Sequence, residues 1–152
     1  MTPEEQDKIT AEDFFEDGCD FLRASEILHR KEKYLHRSYC FLLHLCVETF
    51  IKSFILFHNN EWRCRGAEGH DLLYLANIAS RYSELFERSD VLGPLGNIND
   101  YGYPFGGDKY LHKGKTSYQV SPQNFKFVRM LGNHIRSVIE SKEVDVTGYF
   151  DD

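Results

Sequence analysis

The most apolar stretch of the chain, Tyr39 to Phe57, reads YCFLLHLCVETFIKSFILF, and it carries His44, Glu48 and Lys52, each one helical turn beyond the last. Residues at i, i+4 and i+8 share one edge of a helix, and glutamate four places ahead of lysine is the favourable order for a helix ion pair. Such a trio is either a solvated edge or a semi-buried pair tying helices together, because a charge removed from water needs a partner. A second constellation follows i, i+3, i+7 and i+10 near the C-terminal end: Lys126, Arg129, Asn133 and Arg136. Ahead of it come Lys109, His112, Lys113 and Lys115, interleaved with Tyr110 and Tyr118. Cations among aromatics suit contacts to phosphates and base faces, so these residues are candidate contacts for RNA or a nucleotide. For the loop lysines, plain solvation is the alternative.

The elements that must position these residues read as helices. Phe14, Gly18, Phe21, Leu22, Ser25 and Leu28 give residues 10–30 an amphipathic period, with Thr10 and Asp13 as an N-terminal cap. The second helix spans 34–58 and is apolar on nearly every side, which marks it as the central one. Gly69-His70-Asp71 opens a third helix, whose Leu72, Leu75, Ala76, Ala79, Tyr82 and Phe86 form one stripe. Between Gly93 and Tyr118 the pattern dissolves into six glycines, two prolines and four tyrosines, and a long loop of this kind in a compact domain is usually functional or mobile. Ser121-Pro122 then starts the last helix, with Phe125, Val128, Leu131, Ile135, Val138 and Ile139 as its buried stripe. The expected fold is an all-α, up-and-down bundle of four to five helices, one domain over 1–152, with acidic segments at 1–10 and 140–152.

Composition narrows the function classes. With 41% hydrophobic and 14% aromatic residues in 152, the chain is no disordered segment. The apolar stretch has membrane-span length, but Glu48 and Lys52 would each cost about 2.5–3.5 kcal/mol near a bilayer centre. We therefore expect a buried helix, no membrane association, no signal peptide and a cytoplasmic setting. Cys19, Cys40, Cys46 and Cys64 show no CxxC spacing, and no carboxylates cluster, so neither a metal nor a cofactor is expected. The net charge of −6 is uneven: residues 1–20 hold eight acids against one base and 140–152 five against one, which leaves the body at +5. That body also holds all seven histidines and keeps a polyanionic partner open.

An apolar helix with Glu48-x-x-x-Lys52, a loop, and Gly69-His70-Asp71-Leu72 opening the next helix resembles a HEPN domain. Tyr101-Gly102-Tyr103-Pro104 is similar to the R-Y-P segment of many members, with Gly102 where they carry arginine. The resemblance implies a bundle that commonly dimerises, and roles as toxins, defence proteins or modules paired with nucleotidyltransferase antitoxins. On it, Glu48, Lys52, His70 and Asp71 are structural polar residues. Catalytic members are metal-independent endoribonucleases with an R-x(4–6)-H motif, in which a histidine base serves the ribose 2′-OH and arginine steadies the phosphate. Six pairs here meet that spacing, and Arg129/His134 on the last helix is the match the resemblance favours. Five helical residues leave those two about 140° apart around the axis, flanking the apolar stripe, so joint action calls for a dimer seam, a bend at Gly132 or arginine's long reach, and a dimer is the expected setting for any activity. The expected function is RNA or nucleotide binding in a toxin–antitoxin or defence setting; the alternatives are an Arg129/His134 endoribonuclease and a non-catalytic protein-interaction module.

Overall fold

The computed structural model describes residues 10–31, 36–63, 66–102 and 120–141. Among the described residues five α-helices form an all-α bundle: α1 (Ala11–Lys31), α2 (His36–His58), α3 (Leu72–Ala79), α4 (Ser89–Gly102) and α5 (Pro122–Ser141). Short 3-10 turns at Ala67–His70 and Glu84–Glu87 lead into α3 and α4. The described residues contain no strand. Lys109, Tyr110, His112, Lys113, Lys115 and Tyr118, with Tyr103-Pro104, lie outside the described residues.

Local chemistry sets the helix starts. Thr10 and Asp13 form a reciprocal capping box: Asp13 N–H donates to Thr10 Oγ1 at 3.2 Å and Thr10 N–H to Asp13 Oδ2 at 3.0 Å. Ser121 and Asn124 make the equivalent pair ahead of Pro122, with Ser121 N–H donating to Asn124 Oδ1 at 2.9 Å. Asp71 caps α3, its carboxylate accepting from Leu73 N–H at 3.1 Å and Tyr74 N–H at 3.4 Å.

Two elements differ from the sequence expectation. The third helix ends at Ala79, well short of Phe86. Ser80 Oγ donates to the Asn77 carbonyl at 2.6 Å, and Ser83 Oγ accepts from Leu85 N–H at 3.2 Å, so serine side chains compete with the helix ladder and turn the chain. Tyr82 and Phe86 still reach α2, stacking on His58 and tilting against Phe54. Conversely, the stretch from Gly93 begins inside α4, where Val91, Leu95 and Ile98 bury one face at i, i+4 and i+7. Pro94 removes one helix hydrogen bond from the ladder, yet that buried stripe holds the element together.

Helix α2 occupies the middle. By length and composition Arg37–His58 could cross a membrane, but 72% of its most apolar window is buried by the other helices, as befits a bundle's central helix. Phe50 and Phe54 stand at its core. Gly18 of α1 and Gly132 of α5 close on the Phe50 ring from two sides: a Cβ would come within 2.6 Å of that ring at Gly18 and 2.9 Å at Gly132. Ser25 Oγ adds a buried bond from α1 to the Tyr39 carbonyl at 2.7 Å. Helix α5 runs antiparallel to α1, since Arg129 pairs with Glu26 while Arg136 reaches Cys19.

Candidate functional site

Two polar regions emerge from this packing. The first gathers Glu48, Lys52, His70 and Asp71. Glu48 is 5% exposed; Lys52 Nζ donates to its Oε2 at 2.8 Å and His70 Nδ1–H to its Oε1 at 3.1 Å. His44 Nδ1 lies 3.8 Å from the same Oε1. Burial lowers the His44 pKa below its ordinary value, the neighbouring Glu48 opposing more weakly, so the ring is neutral at pH 7 and donates from Nε2 to Asn99 Oδ1 at 3.4 Å. Asn99 Oδ1 also accepts from Leu72 N–H at 2.9 Å, while its Nδ2 donates to Asp71 Oδ1 at 3.0 Å. One network thus joins α2, the start of α3 and α4. Asn99 was not legible as a member, because it lies in the Gly- and Pro-rich stretch that masks its helix.

The second region is a groove of about 390 Å³ between α1 and α5, floored by Phe50 and Gly132. Arg129, Asn133 and Arg136 line it from α5, and Arg23, Glu26 and Arg30 from α1. All four arginines are exposed enough to meet a ligand. Among the described lining residues Glu26 is the only acid, with Arg129 Nη1 3.1 Å from its Oε2. The Arg136 guanidinium sits over the Phe15 ring at 5.4 Å, and its Nη2 lies 4.0 Å from Cys19 Sγ. Burial raises the Cys19 pKa more than Arg136 lowers it, which keeps a neutral thiol there at pH 7. Lys126 is exposed on the same helix but is not one of the residues lining the groove.

Arg23 and Arg30 are the residues the sequence reading passed over. Their signal was present: Arg23, Glu26, Ile27 and Arg30 stand at i, i+3, i+4 and i+7, the period already used for α5.

Arg129 and His134 are not brought together within the chain. Arg129 is at the surface, its side chain 50% exposed and paired to α1, while His134 is 1% exposed and faces Phe54 at 6.4 Å between ring centroids. A position flanking the apolar stripe was expected for His134; instead the bundle encloses it, with Phe54 of α2 beside the ring. Burial pushes its pKa down to about 4, which keeps the ring neutral but out of reach of a ribose hydroxyl. Among the described residues no group of three His, Cys, Asp or Glu side chains is placed to hold a metal ion. Cys19, Cys40 and Cys46 are free thiols.

Fold and site together define an all-α bundle with an internally paired, part-buried polar cluster and a separate arginine-lined groove. Compared with known protein families, curated proteins and solved structures, the chain matches none.

Proposed function

We propose that this chain is a HEPN-type bundle that binds RNA or a nucleotide through the α1–α5 groove. The observation that carries this reading is the convergence of Arg23, Arg30, Arg129 and Arg136, from two helices, on one groove whose described lining holds a single acid. Guanidinium forks match phosphate oxygens bidentately, and a cavity of this size falls in the range of small-ligand sites. The resemblance in the Glu48–Lys52 and Gly69–Leu72 segments supports a homodimer acting in a toxin–antitoxin or defence setting, with a partner such as a nucleotidyltransferase. Binding without cleavage is favoured over the endoribonuclease reading, since His134 is enclosed in the core.

Titration of labelled single-stranded RNA at rising salt tests the proposal. Four phosphate contacts predict a slope of about −3 for log K against log salt. The Arg23→Gln/Arg129→Gln double variant should bind at least tenfold more weakly with a slope shallower by about 1.4. RNA binding that is absent, or indifferent to salt and to both substitutions, contradicts the proposal and leaves the protein-interaction reading.

A further inference from the structure

The groove does not continue with the same sign of charge. Beyond Arg136 it opens into a second compartment of about 500 Å³ that shares Phe15, Cys19 and Arg136 with the first. Glu12, Glu16, Asp20 and Glu140 line this compartment. The α1–α5 seam therefore changes from four arginines with one glutamate to four carboxylates with one arginine, and Arg136 stands at the change. The antiparallel pairing of the helices explains how both chains of charge agree. The acidic first half of α1 meets the end of α5 that carries Glu140, and its basic second half meets Arg129.

Length adds a limit. Arg23 to Arg30 and Arg129 to Arg136 are each separated by seven residues, about 10.5 Å along a helix. A phosphate chain laid on the arginines meets Arg136 after a short run, and a polymer continuing along the seam would place its next phosphates against carboxylates. Like charges at such separation repel, and the low-dielectric walls of a groove strengthen the effect.

We propose that the α1–α5 groove is a blind phosphate channel: it takes the polyphosphate terminus of a nucleotide or of an RNA strand, and the carboxylates beyond Arg136 turn away a continuing backbone. This inference rests on the reading of the groove as a phosphate site and adds which part of the ligand it selects. The Phe15 ring lies under the Arg136 guanidinium where the arginine run ends, and Asn133 lines the same groove.

The test uses the full chain and four probes: inorganic tripolyphosphate, ATP, and one RNA oligonucleotide with either a 5′-triphosphate or a 5′-hydroxyl. Tripolyphosphate should compete with bound RNA, and the 5′-triphosphate strand should bind at least tenfold more tightly than its 5′-hydroxyl counterpart. ATP binding as tightly as the triphosphate strand assigns the site to free nucleotides; ATP weaker by tenfold or more assigns it to RNA ends, and either result supports a terminal-phosphate site. In the exposed-surface variant Glu16→Gln/Asp20→Asn/Glu140→Gln the 5′-hydroxyl strand should gain about tenfold, closing the gap. Equal binding of the two strands by the unaltered protein overturns the blind channel while leaving RNA binding intact. Failure of all four probes overturns the phosphate site itself.

Discussion

The Glu48 cluster and the arginine groove use the same residue types to opposite ends. Around Glu48 each formal charge meets a counter-charge or a donor: Lys52 and His70 on the carboxylate, and asparagine between His44, Leu72 N–H and Asp71. In the groove Arg23, Arg30 and Arg129 are exposed around a single described carboxylate, Glu26, and Arg136 stands where the acidic compartment begins. The first arrangement leaves little charge for a ligand to satisfy, so its worth lies in fixing how α2, α3 and α4 meet. The second leaves an excess that an anion can neutralise. Paired charge inside builds the fold; unbalanced charge outside is what remains for binding.

The contrast can be broken at several points. Glu48→Ala leaves Lys52 semi-buried without its carboxylate and should cost about 3 kcal/mol, checked by urea unfolding, while RNA affinity of the folded fraction is unchanged. A variant as stable as the parent would put Glu48 on the functional side of the divide. Acid should act next. The folded pKa of His134 lies at about 4, below the ordinary 6.5, so the unfolded chain takes up the proton first. Stability is therefore present above about pH 6.5 and lost as pH falls towards 4, by up to about 3 kcal/mol. His44 and His58 shift in the same direction through burial and add to the loss. His134→Leu should flatten that limb of the stability–pH curve. Gly18→Ala forces a methyl against Phe50 and Thr49 and should cost about 1–2 kcal/mol, read as a lowered unfolding midpoint. Smallest of all is Arg129→Gln, which breaks a half-exposed pair with Glu26 and should change stability by less than about 1 kcal/mol.

How much of this was legible in the sequence depended on whether local pattern and tertiary packing agreed. Helix α2 announced itself because apolar residues on nearly every side admit only a central position. The caps at Thr10 and Ser121 were readable because short side chains beside a helix start have one common use. Helix α4 was hidden because Gly93, Pro94 and Gly96 argue locally against a helix, and only burial of Val91, Leu95 and Ile98 outweighs them. The place of His134 depended on which helices cover α5, a long-range fact without a local trace. Half the groove was readable on α5; the other half required knowing that α1 lies antiparallel against it.

The central claim is that stability and anion binding reside in different polar regions of one bundle. Its most direct test measures both quantities on the same preparation of the Arg23→Gln/Arg129→Gln variant. The account predicts an unfolding free energy within about 1 kcal/mol of the parent together with at least a tenfold loss of RNA affinity. An affinity that survives both substitutions in a fully folded protein would contradict it.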